Sequence, residues 1–491
     1  MATLKRDTML LTGSGLVEFA LQFLIPIIFV RSLDAATFGE YRLLWLVAGT
    51  ALALAPTFMP QSLFYFLPRA TEEQQGTLIG NVVAYLSIAG IAVALILTPW
   101  NPLLPDNISQ LYVTTKGISS AFLGSWIVVS LMTILPVAEG RVSWQVRNDV
   151  TLAVLRTILL ATAAVLTAEL IWIIAALMAE ALLRILTMVH YLMTRTHPKI
   201  SVRAKLLQTQ LKYAIPFAIS SSLYQLRGVA DQWIIASMLS ASLFGIFSIS
   251  AVFLSLVGLI KQPVINATTP HLNRAFALGQ TQEFICLFRK SSGALTIILT
   301  MISGGLFCVL PGLVHIIYTD RYAEAVPVMR TYLIIMMLQG FATGYLIPVI
   351  NRAGSAVLNN ACCLVLSCVF SYVGTLVWGL PGAALGSVAA FILSECWSLN
   401  IVARTLGVKM LALLPWKPLV CSGSASVAAL IIVELASGLP SASPIVQLAV
   451  KSFLYTAVFS SVFVVIADSG QLKALNIFSG IFLAKKAILS K

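Results

Sequence analysis

In the stretch LYQLRGVADQW, Arg227 and Asp231 interrupt a run apolar enough to lie inside a bilayer. A charge at the bilayer centre costs about 2.5–3.5 kcal/mol on insertion scales, so a chain keeps one there for a purpose. The same pattern recurs at Glu180 and Arg184, and single charges fall within apolar runs at Glu18, Arg156, Glu395, Glu434 and Lys451. Two opposite charges four residues apart share a helix face. They can neutralise each other, or they can line a polar cavity that receives a charged solute, and the spacing alone leaves both open. Arg227 lies about 21 Å along a helix from Tyr213, at 1.5 Å per residue, beyond comfortable reach of the nearer headgroups. Glu434 and Lys451 lie close enough to the ends of their runs to extend their charges into the interface.

Other chemistries lack their residues. The four histidines, His190, His197, His271 and His315, have no ligand spacing, which predicts no metal site. There is no phosphate-binding G-x-x-x-x-G-K-[ST] loop, no G-x-S-x-G elbow and no CxxC pair, so neither a cofactor nor a catalytic centre is expected. Most of the seven cysteines lie in apolar runs, as small buried residues do.

The elements that must position these charges follow from composition. The chain has 491 residues, 59% hydrophobic and 10% charged. Soluble domains carry about 25% charged residues, and a spanning helix needs about 20 apolar residues. The hydropathy predicts an all-α polytopic membrane protein with about fourteen spans between residues 8 and 467. The seventh is placed at 213–238, the eighth at 243–262, and the eleventh and twelfth at 357–378 and 381–403. The fifth and sixth, 149–168 and 170–193, read as a hairpin joined at Thr167–Glu169. A β-barrel is excluded because the runs are continuously apolar rather than alternating. Prolines 26, 56, 60, 136, 216, 263 and 348 lie in or at the ends of spans, where each removes a backbone hydrogen bond and marks a bend.

Orientation comes from Lys and Arg. With the N-terminus inside, the loop from Arg195 to Lys212 alone contributes Arg195, Lys199, Arg203, Lys205 and Lys212, whereas the outer loops hold only Arg31, Arg42, Lys116, Arg321 and Arg330. Both termini are then cytoplasmic. The net charge of +13 reads as contact with anionic lipid rather than nucleic acid.

The chain also repeats. SLDAATFGEY (32–41) matches MLSASLFGIF (238–247), LPVAEGRVSWQVRN (135–148) matches IPVINRAGSAVLNN (347–360) with Pro136 on Pro348, and TRT (194–196) matches ART (403–405). Six spans per copy give both copies one orientation, a parallel repeat. The expected domains are an N-terminal six-helix lobe at 1–200, a C-terminal six-helix lobe at 201–410, and two further helices with a cytoplasmic tail at 411–491. No loop has room for a soluble catalytic domain, so an enzyme is not expected.

Taken in order, RSLDAATFGEY, the FLPRA that ends the second span, YTDRYAEAVPVMRTYLI, NRAGSAVLNN and WGLPGAALGSVAA resemble the bacterial polysaccharide-biosynthesis transporters, the Wzx-type flippases. These belong to the multidrug/oligosaccharidyl-lipid/polysaccharide exporter superfamily, and the resemblance runs along essentially the whole chain. It implies two lobes around a central cationic cavity and movement of polyprenyl-pyrophosphate-linked oligosaccharide across the bacterial inner membrane by alternating access. It also implies an acidic position in the seventh span, which Asp231 occupies. Partners implied are the lipid-linked oligosaccharide, membrane lipids, a polysaccharide polymerase and chain-length proteins, and a coupling H+ or Na+. Arginine suits a pyrophosphate because its planar fork matches phosphate oxygens. Arg227, Arg156 and Arg184 are therefore the expected substrate contacts, with Asp231, Glu18 and Glu180 as charge partners or ion-coupling groups. Two other readings carry weight: a multidrug or cation antiporter of the same superfamily, with Glu18 as its coupling carboxylate, and an integral-membrane polysaccharide polymerase.

Overall fold

A computed structural model of the chain describes residues 2–98, 101, 106–195, 200–436 and 443–467. The expected C-terminal tail beyond Ala467, and His197 and Lys199 of the basic loop, lie outside the described residues. Every regular element among the described residues is helical, as the continuous apolar runs predict. Large apolar side chains such as Leu166, Leu435, Phe453 and Val465 are more than three-quarters exposed, the surface a lipid solvent requires.

The chain divides into two compact units, Met1–Gly245 and Ile246–Lys491. The first contains α1 (Ala2–Ser32), α2 (Ala35–Leu54), α3 (Met59–Phe66), α4 (Glu72–Ile96), α5 (Asp106–Thr114), α6 (Ile118–Val129), α7 (Leu135–Ala138), α8 (Val142–Thr167), α9 (Leu170–Arg195), α10 (Ala204–Arg227) and α11 (Ala230–Met238). α12 (Ala241–Ser250) runs across the boundary. The lobe boundary expected from the repeat, near residue 200, follows sequence similarity, whereas the compact units follow contacts. α10 packs on α2, α3 and α4. Buried polar groups fix that packing: Asn81 Nδ2 donates to Gln210 Oε1 at 3.1 Å, and Asn81 Oδ1 accepts the Arg203 N–H at 3.0 Å.

Local chemistry sets the breaks. α2 and α3 together have the length and apolarity of one span, bent by 40° where Thr57 and Phe58 take left-handed φ of 48° and 59° between Pro56 and Pro60. Asp34 caps α2, its Oδ2 accepting the backbone N–H groups of Ala36 at 3.0 Å and Thr37 at 3.3 Å. Partial burial acts to raise the Asp34 carboxyl, but its hydrogen bonds with Thr37 and Ala36 together hold it below the ordinary 3.8. Gly90 of α4 and Gly124 of α6 let two backbones touch, since a Cβ on Gly90 would stand 2.5 Å from the Gly124 carbonyl oxygen.

The repeat is visible in these devices. α2 begins at Ala35 after Asp34, and α12 begins at Ala241 after Ser240, whose hydroxyl accepts the Leu243 N–H at 3.4 Å. The second match shifts by one residue from the sequence alignment: α7 begins at Leu135 and α16 at Leu346, so Pro136 corresponds to Ile347 rather than Pro348. Gly140 (φ 75°) and Asn351 (φ 59°) then occupy the same left-handed turn, and Arg141 and Arg352 N–H groups bond the carbonyls of Pro136 and Ile347. Backbone geometry, not the proline, is what the two copies share.

The second unit comprises α13 (Leu254–Ala277), α14 (Thr281–Tyr318), α15 (Ala325–Leu338), α16 (Leu346–Val349), α17 (Ala353–Leu406), α18 (Trp416–Ala436) and α19 (Pro444–Ile466). The 54 residues of α17 are two antiparallel helices folded at Gly379, whose φ of 62° and ψ of −139° leave the helical region. Ser371 Oγ donates to the Ala383 carbonyl at 2.9 Å, Ser367 meets Ser387 at 3.1 Å, and Asn359 Nδ2 donates to Ser394 at 3.1 Å and Ser398 at 2.9 Å. α18 and α19 dock on α14 through a glycine notch: a Cβ on Gly304 would stand 2.0 Å from the Tyr455 hydroxyl, which bonds Ser426.

Among the described residues ten helices are long and apolar enough to span, or eleven with the bent α2–α3 pair, against the fourteen spans expected. The difference lies partly in α17, whose two antiparallel helices cover the expected eleventh and twelfth spans but count as one element. It lies also in the expected spans at 213–238 and 243–262, which break at Gly228–Val229 and at Ala251–Phe253 into pieces that lack either the length or the apolarity.

Candidate functional site

The α8–α9 hairpin gathers three of the nine charges that fall within apolar runs, Arg156, Glu180 and Arg184. It turns at Ala168, whose φ is 54°. Arg156 and Glu180 stand twelve residues on either side of that turn and so meet across the hairpin. Twelve residues of helix place them about 18 Å from its tip, near the middle of a hydrocarbon layer about 30 Å thick. Gln145, Asp149 and Arg156 fall on one face of α8, four and seven residues apart, while Glu180 and Arg184 lie one turn apart on α9.

The side chains form one connected network. Arg184 Nε donates to Glu180 Oε1 at 2.9 Å, and Arg184 Nη1 lies 3.9 Å from Asp149 Oδ1. Asp149 Oδ2 accepts Gln145 Nε2 at 2.5 Å. Arg156 Nε faces Glu180 Oε2 at 3.9 Å, too long for a hydrogen bond, and neither of those two buried atoms makes one among the described residues. Glu180 is fully buried and Arg156 nearly so, while Arg184 and Asp149 keep some exposure. Aromatic rings wall the site: the Arg184 guanidinium lies 5.1 Å from the Trp126 ring of α6, and Trp126 packs edge-on to Trp45 of α2 at 6.0 Å. α1 packs along α8 and brings Glu18, half-buried, within electrostatic range of Asp149.

Thus the structure brings together Arg156, Arg184 and Glu180, with Glu18 at the margin. It treats Arg227 and Asp231 differently. Their spacing predicts one shared helix face, but the helix breaks between them at Gly228–Val229. Arg227 stands in the last turn of α10, its guanidinium 5.2 Å from the Tyr224 ring. Asp231 is buried in the first turn of α11 and accepts its neighbour's Gln232 N–H at 2.8 Å. A cation at a helix C-terminus and an anion at a helix N-terminus are each favoured by the peptide dipoles.

Asp149, Gln145 and Trp126 were not legible as site residues. Asp149 is the first residue of the expected span 149–168, at its edge rather than within it. Its spacing from Gln145 and Arg156 was the available signal. A second cluster forms at the same end of α8, where the Tyr191 hydroxyl donates to Glu139 and the Arg141 guanidinium lies 5.7 Å from the Tyr191 ring. Among the described residues no group of three or more His, Cys, Asp or Glu is placed to hold a metal.

Residues 28–327 match the polysaccharide biosynthesis protein family. No curated protein matches the chain by sequence. Among solved structures, the lipid II flippase MurJ in an inward closed conformation superposes with a TM-score of 0.71 at 14% identity, covering 92% of this chain and 97% of that one. An inward-facing multidrug resistance MATE transporter superposes at 0.67 with 13% identity, covering 79% and 95%. A transporter of the same superfamily from Pyrococcus furiosus, described as having a binding pocket of reverse polarity, superposes at 0.55 with 15% identity, covering 82% and 97%. At such identities the likeness is one of fold, that of a multi-pass membrane transporter.

Proposed function

The chain belongs to the polysaccharide biosynthesis protein family, and from that premise we propose that it is a flippase for polyprenyl-pyrophosphate-linked oligosaccharide. The oligosaccharide passes from the cytoplasmic to the outer leaflet of the bacterial inner membrane and leaves at unchanged length. The single observation that carries the reading is the buried α8–α9 network, in which Arg156 and Glu180 stand near mid-membrane depth and Arg184 and Asp149 extend the network toward one face. A pyrophosphate cannot cross hydrocarbon unaided, and planar guanidiniums are the side chains best matched to its oxygens.

The network also suggests how release is driven. Two arginines and two carboxylates sum to zero, so a diphosphate must displace Glu180 and Asp149 to reach Arg156 and Arg184. A proton taken up by either carboxylate frees an arginine for phosphate, and its loss returns the arginine to its partner and expels the anion. Glu180 Oε2, buried and without a hydrogen bond among the described residues, is the position best suited to take that proton. Glu18 adds negative charge beside Asp149, and Arg227 with Asp231 is a second candidate contact on α10 and α11.

In this reading the polyprenyl chain stays in lipid while the head group moves, by alternating access of the 1–200 and 201–410 lobes, with 411–491 appended and both termini cytoplasmic. A multidrug antiporter has the same fold, but an exporter of organic cations needs carboxylates that no arginine neutralises. The test is reconstitution in liposomes with a fluorescent undecaprenyl-pyrophosphoryl sugar and an impermeant quencher. Wild-type protein should expose the inner-leaflet pool, and Arg156→Gln with Arg184→Gln should not. Failure of the wild-type protein to move the lipid, or its export of a cationic dye instead, overturns the proposal.

A further inference from the structure

The second unit holds an open groove of a different kind, largely apolar and edged by uncharged polar side chains. α13 carries Gln262, Asn266, Thr269 and Asn273 at intervals of four, three and four residues, a single stripe on one helix face. Asn266, Thr269 and Asn273, with Ile265, Pro270 and Tyr345, line this groove of about 580 Å³. That volume falls within the range of ligand pockets, about 300–1,000 Å³. None of the six lining residues is charged. α13 is not apolar enough to span, and the exposed amides of its stripe are positioned to meet water or a polar solute.

The wall is built to donate and accept together. Pro270 has no N–H to give to the carbonyl of Asn266 one turn earlier, which leaves a backbone acceptor at the groove. Gln262 Nε2 donates to Asn266 Oδ1 at 3.0 Å, which orients that amide and leaves its NH2 as a donor. The Thr269 hydroxyl donates to the Ile265 carbonyl at 2.7 Å and keeps its lone pairs. Across the groove, the Tyr345 side chain engages Ser291 and packs near Phe288. The backbone before Tyr345 is braced by Glu395, whose Oε2 accepts the Thr343 N–H at 2.6 Å and its hydroxyl at 3.2 Å. Glu395, an isolated intramembrane charge in the sequence, is thereby a positioning residue acting through Thr343 on Tyr345.

We propose that this groove binds the glycan of the lipid-linked substrate, an inference that rests on the flippase reading. A neutral glycan presents many hydroxyls, each donor and acceptor, and apolar C–H faces that stack on an aromatic ring. Side-chain amides, a free carbonyl and Tyr345 answer those features. A diphosphate finds no cation in the lining, so the groove favours sugar over the charged head. A site whose polar groups are satisfied only by particular hydroxyls rejects glycans that lack them, which makes α13 a determinant of glycan specificity.

Binding of two probes by the full-length protein in nanodiscs tests this: undecaprenyl pyrophosphate, and the lipid-linked oligosaccharide extracted from the producing cells. Wild-type protein should bind the oligosaccharide-bearing lipid at least tenfold more tightly. Asn266→Leu with Asn273→Leu should remove that advantage while leaving undecaprenyl pyrophosphate binding within about twofold, and Asn273→Gln should retain part of it. Unchanged discrimination in the double variant overturns the glycan site and leaves the flippase reading standing. If wild-type protein binds neither lipid, the flippase reading itself fails. Should the double variant lose its thermal transition, Thr269→Val decides in its place.

Discussion

Glu180 and Arg184 are joined at 2.9 Å one turn apart on α9, and the same carboxylate also faces Arg156 of α8 at 3.9 Å. One buried anion therefore stands between two cations and hydrogen-bonds only one of them among the described residues. That asymmetry leaves Glu180 holding Arg184 firmly and Arg156 loosely.

Glu180→Gln keeps an oxygen for Arg184 but removes the charge. The expected outcome is a folded protein that binds undecaprenyl pyrophosphate severalfold more tightly at neutral pH, with a transport rate that varies less with pH than that of the wild type. Glu180→Ala breaks a buried pair and should cost about 3–5 kcal/mol, read as a lower melting temperature. A Glu180→Gln protein with the wild-type pH profile would remove Glu180 from coupling.

Arg227 and Asp231 make a different prediction, because each complements the dipole of its own helix. Exchanging them, Arg227→Asp with Asp231→Arg, puts an anion at the end of α10 and a cation at the start of α11. The exchange should lower stability, each misplaced charge contributing about 0.3–1 kcal/mol or more where buried. Arg227→Ala should abolish polymer export while membrane abundance stays near wild type. An exchanged protein as stable as wild type would show that the two charges act as an ordinary interchangeable pair.

Gly39 of α2 predicts a steric effect. A Cβ there would stand 1.8 Å from the Ala241 carbonyl oxygen at the start of α12, and that neighbour is backbone. Gly39→Ala should therefore cost about 1–3 kcal/mol or more through overpacking. Gly49, on the same helix with nothing within 4 Å of a new Cβ, should accept alanine with no loss, or a gain of up to about 1 kcal/mol. Melting of the two variants in detergent compares them, and equal transitions would contradict the close approach of α2 and α12.

Much of the architecture is legible in the sequence, because a spanning helix writes its own length and apolarity into consecutive residues. The all-helical class, the hairpin at Ala168 and the pairing of Glu180 with Arg184 are local facts of this kind. Once the hairpin turn is located, even the meeting of Arg156 with Glu180 follows from their equal distance from it.

Other features depended on contacts between residues far apart in the chain. Asp149 joined the network because α8 and α9 press their polar faces together, and Glu395 acquired a role only when Thr343, fifty-two residues earlier, was placed against it. Arg227 and Asp231, expected on one helix face, ended on two helices. The sequence by itself determined a membrane protein of repeated helices with charges in its interior, since composition and periodicity are one-dimensional. Which charges meet was decided by the tertiary structure. Helix breaks and cross-helix distances arise where separate segments satisfy one another's backbone and polar groups, and no local pattern records that.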